Sequence, residues 1–246
     1  MSRQRIKFDF LVHDLKVPLA VIEAGLTSLI NKTDKYGPLT EKQLKVLKRA
    51  LRNTLLTRSL VNDALELGRS SEGIIQKRTF ALSSLVEQSL VEIFDLTDYD
   101  TAEEIKGCKN LGVLKGALHK KGILLGIDEK VWCDEVCLDE SKMRQILRNL
   151  LNNALKYRKK QVDLRIEKKE GSFFFFVKDD GDGIPAHYHE KIFQCYFQMD
   201  MQEDHCVRGH GLGLAGVMVL VEDMGGQLSL ESDAGKGAAF SVTIPL

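Results

Sequence analysis

The spacing of apolar residues divides the chain into a helical first part and a mixed second part. In the first 70 residues, apolar side chains recur every three or four positions, which predicts two amphipathic helices. Residues 31–38 between them contain glycine, proline and other turn formers. Thr40, followed by Gln43, predicts a capping box that opens the second helix. The apolar positions are Phe10, Leu11, Leu15, Leu19, Ile22, Leu26 and Leu29, and then Leu44, Leu47, Leu51, Leu55 and Leu65.

Two amphipathic helices joined by a turn cannot bury both of their apolar stripes against each other. Pairing with a second copy, as a four-helix bundle, would bury them. We therefore expect residues 1–73 to form a helical hairpin that dimerises, and the chain to act as a homodimer.

Residues 74–246 alternate between helical and strand patterns, which predicts a second domain of mixed α and β structure. Residues 98–110 are polar, and we expect them to be irregular. Residues 227–232 and 238–244 read as a closing hairpin. The predicted helices are 84–94, 111–121, 140–157 and 211–224, and the further predicted strands are 123–127, 131–138, 161–168 and 173–178.

The predicted helix 140–157 carries two asparagines four positions apart. Asn149 and Asn153 therefore lie on one helix face, where amide oxygens can help to hold a hard cation such as Mg²⁺. Lys156 follows one turn later and can meet a phosphate, and Tyr157 can pack on a nucleotide. The alternative is that these asparagines are only a solvated helix face.

A second motif, residues 179–185, follows a strand that is rich in phenylalanine. Asp179, at the end of that strand, can accept a hydrogen bond from an exocyclic amine, which favours adenine. Gly181 and Gly183 let the backbone approach a flat ligand closely. An ordinary aspartate–glycine turn is the alternative, but Pro185 and a long loop follow instead of a partner strand.

A third motif contains Gly209, Gly211 and Gly213 and opens the last predicted helix. Glycines at a helix start expose backbone N–H groups, which bind phosphate together with the helix dipole. A dinucleotide-binding motif is disfavoured, because no parallel strand is predicted after this helix.

Composition and charge argue against a nucleic-acid-binding protein and against a membrane protein. The 35 basic residues balance the 35 acidic ones, so no basic field favours nucleic acid or an anionic membrane. No apolar run reaches the roughly 20 residues of a membrane span, and no signal peptide is apparent, so we expect a cytoplasmic protein. The 5 cysteines suggest reduced thiols. Zinc is a weaker alternative for the cysteines and histidines Cys133, Cys137, His187, His189, Cys195, His205, Cys206 and His210.

In this order, the motifs resemble the catalytic core of two-component sensor histidine kinases. The phosphoacceptor box of that family corresponds to residues 13–19, from His13 to Leu19, and the asparagine box to residues 145–157. Residues 179–184, which end at Ile184, correspond to the first glycine box, and residues 192–197 to the phenylalanine box. The second glycine box corresponds to residues 209–214, with Leu212 and Leu214, and residues 235–246 match the usual end of the family's fold.

The resemblance implies an α+β fold: a dimeric helical hairpin over residues 1–73, then an ATP-binding α/β sandwich with a mixed sheet over residues 74–246. It implies that Asn153 binds Mg²⁺ with Asn149 beside it, and that Asp179 reads adenine. Residues from about 199 to 208 would cover ATP, and Arg208 would touch phosphate. The cofactors implied are ATP and Mg²⁺.

The resemblance also implies that His13 attacks the γ-phosphate of ATP, with Asp14 as general base, and then passes the phosphoryl group to the receiver domain of a response regulator. Val17 stands where many relatives carry Thr or Asn, so we expect weak phosphatase activity on that partner. The signal would come from a sensor domain or protein outside this chain. The alternatives are a degenerate ATP-binding scaffold and another ATPase of the same superfamily, such as a serine-directed kinase.

Overall fold

The computed structural model describes residues 2–70, 75–95, 97–169, 171–194, 197 and 212–246, without the side chains of residues 2–14, 56, 59–60 and 62–70. The chain forms two compact units, residues 1–72 and residues 73–246. We call them the hairpin unit and the sandwich unit.

The hairpin unit consists of α1 (Ser2–Asn31), a short α2 (Thr33–Tyr36) and α3 (Glu41–Ser70). Helices α1 and α3 pack against each other, and Glu23 of α1 forms an ion pair with Arg58 of α3. The predicted capping box is confirmed. The Thr40 N–H donates to Gln43 Oε1 at 2.9 Å, and the Gln43 N–H donates to Thr40 Oγ1 at 3.3 Å.

The sandwich unit begins with β1 (Arg78–Ala81), α4 (Leu82–Phe94), α5 (Tyr99–Lys106), α6 (Leu111–Lys120), β2 (Ile123–Gly126), α7 (Glu129–Trp132) and β3 (Glu135–Leu138). It continues with α8 (Glu140–Tyr157), β4 (Val162–Lys169) and β5 (Ser172–Asp179), and with single 3-10 turns at Ala186–Tyr188 and Lys191–Phe193. It ends with α9 (Gly213–Asp223), β6 (Gln227–Ser232) and β7 (Ala238–Pro245).

Strands of the sandwich unit form a sheet in the order β2-β4-β5-β7-β6. The β2–β4 pair is parallel and the other pairs are antiparallel, so the predicted mixed sheet is confirmed. Side chains alternate along β5: Phe173 and Phe175 are buried, while Arg165 and Lys169 lie over the rings of Phe176 and Phe174. Helix α8 packs against β5.

Two predictions for the sandwich unit were wrong. Residues 99–106 are helical, not irregular, because Asp98 caps the helix and Ala102 and Ile105 are buried. Residues 129–132 form helix α7 with Trp132 buried, so the strand predicted over 131–138 shrinks to β3. Strand β3 pairs with β1 in a separate antiparallel sheet.

Within the described ranges, no helix is both long enough and apolar enough to cross a membrane.

Candidate nucleotide-binding site

Helix α8, which carries the predicted magnesium ligands, is fixed at its first turn. Asp139 is buried, and its carboxylate caps the helix by accepting the Lys142 N–H at 3.2 Å. Its other oxygen accepts the Gln76 N–H at 2.9 Å. Glu140 forms ion pairs with Arg144 at 2.6 Å and with Arg78 at 2.8 Å. A hydrogen bond and an ion pair therefore connect the start of this helix to β1 and to the segment before it.

Polar contacts join helices α8 and α9. The Asn149 side-chain N–H donates to the Gly213 carbonyl at 3.3 Å. Lys142 forms an ion pair with Asp223 at 2.8 Å, and the two side chains are only 12% and 16% exposed. The Asn149 nitrogen therefore faces the start of α9, and no described residue donates a hydrogen bond to its amide oxygen. The asparagine motif and the end of the third motif therefore lie side by side.

The end of α8 presents polar groups at the surface of the unit. Asn153 is half-buried, and no group in the described ranges forms a hydrogen bond with its side chain. The Lys156 ammonium lies 4.7 Å from the centre of the Tyr157 ring, which is 46% exposed. An amide, a cation and an aromatic face therefore occupy adjacent positions that are accessible to a ligand.

Asp179 lies at the end of β5 and is buried, with 5% exposure. Two other residues donate to the same oxygen: Oδ1 accepts the Gly181 N–H at 2.8 Å and the Ala238 N–H at 3.3 Å. No hydrogen bond from another described residue reaches Oδ2. Burial raises the pKa of Asp179, although these two backbone N–H groups oppose the shift. This arrangement suits a carboxylate that accepts a hydrogen bond from a ligand.

Asp180, next to Asp179, forms structural hydrogen bonds with the backbone. Its carboxylate accepts the backbone N–H groups of Lys159, Lys160 and Gln161 at 2.8, 3.0 and 3.1 Å. Burial alone would raise the pKa of Asp180, but these N–H groups outweigh it, so the pKa lies below its ordinary value. The side chain therefore fastens the turn after α8 to the end of β5, a role that the sequence did not reveal.

Two glycines of the second motif are required by close packing. A side chain at Gly181 would place its Cβ 2.3 Å from the Tyr157 carbonyl oxygen. Gly183 has φ +73°, and its Cβ would lie 2.0 Å from the Asp233 carbonyl oxygen. Gly181 therefore lies against the end of α8, and Gly183 against the β6–β7 turn. This is how the structure brings Asp179 and the asparagine helix into one site.

The remaining predicted site residues divide into two groups. Ile184 and Leu212 are buried, with 8% and 4% exposure, and Leu214 packs on the core, so these three support the site from within. Arg208, Gly209 and Gly211, with the rest of the predicted cover over residues 199–208, lie outside the described residues. His13 and Asp14 lie on α1, but their side chains are not described.

The donor set fits magnesium better than zinc. Neutral amide oxygens at Asn149 and Asn153 can supply part of the oxygen shell of a hard cation, with phosphates and water completing it. Among the described side chains, no three His, Cys, Asp or Glu residues cluster as a metal site. Cys133 follows α7 and lies outside any strand, contrary to prediction, and both Cys133 and Cys137 are exposed free thiols. Of the other suggested zinc ligands, Cys195, His205, Cys206 and His210 lie outside the described residues.

Comparisons with known proteins match both units. Residues 8–73 match the His Kinase A (phospho-acceptor) domain, and residues 138–246 match the histidine kinase-, DNA gyrase B- and HSP90-like ATPase domain. The circadian input-output histidine kinase CikA of Synechococcus elongatus is 33% identical over 97% of this chain and 30% of that protein. The aerobic respiration control sensor protein ArcB of Escherichia coli is 29% identical over 99% of this chain and 29% of that protein.

A crystal structure of full-length ShkA in complex with AMPPNP shares the fold. It aligns with a TM-score of 0.65 and 25% sequence identity over 97% of this chain and 45% of ShkA. The chain spans about a third of the length of the curated relatives, 30% of CikA and 29% of ArcB. The two domain matches in order, with these relatives along nearly the whole chain, confirm the predicted family: the chain belongs to the sensor histidine kinases and corresponds to their catalytic core.

Proposed function

We propose that this chain is an ATP-dependent protein histidine kinase that phosphorylates His13 and passes the phosphoryl group to an aspartate of a response regulator. The observation that carries the proposal is Asp179. It is a buried carboxylate with one oxygen held by two backbone N–H groups and the other without a hydrogen bond from another described residue. That geometry suits recognition of the exocyclic amine of adenine, beside a helix with amides for Mg²⁺.

We assign the nucleotide contacts by position. Asp179 accepts from adenine, Gly181 and Gly183 let the backbone lie close to it, and Asn153 with Asn149 holds Mg²⁺. Lys156 meets phosphate and Tyr157 borders the nucleotide. Bound Mg²⁺ would neutralise charge on the phosphates, which is the main requirement of phosphoryl transfer. Arg208, Gly209, Gly211 and Gly213 would contact the phosphate chain.

The reaction on the protein side is a nucleophilic displacement. The neutral imidazole of His13 uses a nitrogen lone pair to form the N–P bond, while the bond from the γ-phosphorus to the bridging oxygen breaks and ADP leaves. Asp14 accepts a hydrogen bond from the ring and takes up the proton. The hairpin unit would present His13 within a dimeric four-helix bundle.

Autophosphorylation with labelled ATP and Mg²⁺ tests this assignment. The chain should gain an acid-labile, base-stable label, and His13→Gln should abolish it. His119→Gln is the matched control, because His119 is an exposed histidine on α6 and should leave labelling unchanged. A label that survives in His13→Gln would overturn the acceptor assignment, and an acid-stable label would favour a serine-directed kinase.

Val17 bears on the reverse reaction. Its side chain is 54% exposed on α1, one turn after His13, and it cannot orient a water by hydrogen bonding. We expect weak phosphatase activity on the phosphorylated receiver domain. Val17→Thr should increase the dephosphorylation rate of that partner without changing autophosphorylation, and an unchanged rate would contradict this account.

The second candidate is a scaffold that binds ATP and signals by shape alone. It requires a site that holds the nucleotide without phosphotransfer, so the same assay separates the two. Nucleotide binding without any label on His13 would favour the scaffold. Because the chain spans about a third of its curated relatives, we expect the signal to come from a sensor domain or protein outside these residues.

A further inference from the structure

Ser232, the last residue of β6, joins two parts of the nucleotide site. Its Oγ accepts the Ile184 N–H at 2.8 Å, and its O–H donates to the Gly237 carbonyl at 2.7 Å. Ile184 belongs to the loop that follows Gly183, and Gly237 immediately precedes β7. One hydroxyl therefore uses both its donor and its acceptor capacity to connect segments that lie about 50 residues apart along the chain.

Gly237 lies directly against Asp179. It has φ +77°, and a Cβ there would lie 2.0 Å from the Asp179 carbonyl oxygen. The next residue, Ala238, donates its N–H to Asp179 Oδ1 and pairs with Ser232 across the β6–β7 ladder. The Ser232 hydroxyl therefore hydrogen-bonds to the carbonyl of the same peptide group whose N–H donates to the Asp179 carboxylate.

The β6–β7 turn also contacts the loop after β5 through backbone groups. The Gly235 N–H donates to the Asp182 carbonyl at 2.6 Å, and Gly183 approaches the Asp233 carbonyl. These backbone contacts fix the distance between the turn and the loop. Among the described side chains, the Ser232 hydroxyl connects Gly237 directly to Ile184.

We infer that Ser232 is a positioning residue for adenine recognition: its hydroxyl bridges Ile184 and Gly237 and so holds Asp179 in register with the bound base. This inference rests on the proposed function, because it assumes that Asp179 reads adenine. Ser232 itself touches no ligand in this scheme. Its effect is on nucleotide affinity, and the rate of phosphoryl transfer at saturating ATP is unaffected.

The test uses the full 246-residue chain and two probes, ATP and purine riboside triphosphate, which lacks the exocyclic amine. Ser232→Ala should weaken ATP binding by about tenfold, since it removes a bridging hydroxyl that serves two buried backbone groups. It should weaken the analogue much less, because the analogue has no amine for Asp179. A purely structural loss would change both probes equally.

Two further variants make the result decisive. Ser232→Thr keeps the hydroxyl and should restore ATP affinity and its advantage over the analogue. Ser229→Ala, an exposed serine on the same strand, should change neither. Equal weakening of both probes in Ser232→Ala, or unchanged ATP binding with a lower melting temperature, would overturn the inference. If the unaltered chain binds no ATP, the proposed function fails first.

Discussion

The hairpin unit exposes several of its apolar side chains to solvent, whereas the sandwich unit buries its apolar side chains in a core. Val17, Val21 and Val46 of the hairpin unit are 54%, 66% and 66% exposed, whereas Leu82 and Val242 of the sandwich unit are fully buried. Among the described side chains of the hairpin unit, only Thr54 is buried. The sandwich unit closes a core within one chain, and the hairpin unit leaves apolar surface that a second copy would cover.

The two units therefore have different parts in the proposed reaction, and different contacts stabilise them. The sandwich unit has its own core, whereas the hairpin unit would gain contacts from a second copy. A closed core can hold Asp179 in a desolvated position, because many packed side chains resist its relaxation. In the proposed dimer, the hairpin unit would present His13 on a bundle that a second copy completes.

The largest expected effect comes from placing a charge in each unit. Val242→Asp buries an unpaired carboxylate in the central sheet, which costs several kcal/mol, about as much as the whole stability of a typical domain. We expect loss of the cooperative unfolding transition and of ATP binding. Val21→Asp adds the same charge on the exposed face of α1 and should weaken the dimer while ATP binding persists. Calorimetry and sedimentation velocity measure the two outcomes.

The control for this comparison is Val21→Leu, which keeps the same position apolar and should leave both assembly and stability nearly unchanged. If Val21→Asp lowers ATP affinity as much as Val242→Asp does, the two units are not energetically separate and the comparison is wrong.

The next effect is confined to the sandwich unit. Asn153→Ala removes the amide oxygen that we assign to Mg²⁺, so ATP binding should lose its magnesium dependence. ATP affinity should also fall by more than about tenfold, because mutating even a residue that only hydrogen-bonds to a metal ligand lowers metal affinity by that amount. Asn152→Ala is the matched control, because Asn152 is exposed on the same helix. Titration calorimetry with and without Mg²⁺ measures both. Equal magnesium dependence in the two variants would remove Asn153 from the site.

A smaller effect compares one helix cap from each unit. Asp139→Ala should destabilise the sandwich unit by about 2 kcal/mol, the upper end for caps, because the carboxylate is buried and also accepts the Gln76 N–H. Thr40→Ala, at the exposed cap of α3, should destabilise the hairpin unit by only about 0.5 kcal/mol. Urea unfolding followed by circular dichroism gives both values. A larger loss at Thr40 would reverse this ranking.

The smallest effect is a pair of opposite pH dependences at neighbouring carboxyls. Burial raises the pKa of Asp179 in the folded state, so the charged form is unfavourable there and stability falls as pH rises through that pKa. Asp179→Asn should therefore raise the melting temperature at pH 7 while ATP binding is lost. The gain should vanish at pH values below the ordinary carboxyl pKa.

Asp180 behaves in the other direction. Backbone N–H groups hold its pKa below the ordinary value despite partial burial, so its stabilisation is present at neutral pH and disappears as pH falls through the folded-state pKa. Asp180→Asn should slightly lower the melting temperature at pH 7 and have no effect in strong acid. Melting curves from pH 7 down to strong acid check both variants, and shifts of the same sign at pH 7 would contradict the argument.

The sequence correctly predicted those elements whose apolar pattern and capping residues lie within one short segment of the chain. The helix predicted over 140–157 is α8, with identical bounds, because its apolar period is long and regular. The Thr40 capping box formed as predicted, since both partners lie within four residues. The helix Tyr99–Lys106 was missed because its apolar face is short, and only Asp98 and the buried Ile105 reveal it.

The candidate site was predicted only as separate pieces. Residue types and spacing identified Asp179, Asn149, Asn153 and the glycines as candidates. The Ala238 N–H that orients Asp179 lies 59 residues away along the chain, and no local pattern indicates that pairing. Ser232 and Asp180 were missed for the same reason: each acts through backbone groups of a distant segment.

The sequence by itself determined the family, most of the elements and the candidate site residues, because side-chain type and helical or strand spacing are local properties. Only the tertiary structure showed which of the two adjacent aspartates has an oxygen without a hydrogen bond from another described residue, and which one connects a turn to the sheet. That choice depends on how many backbone N–H groups the folded sheet and loops bring to each carboxylate, and packing alone sets those distances.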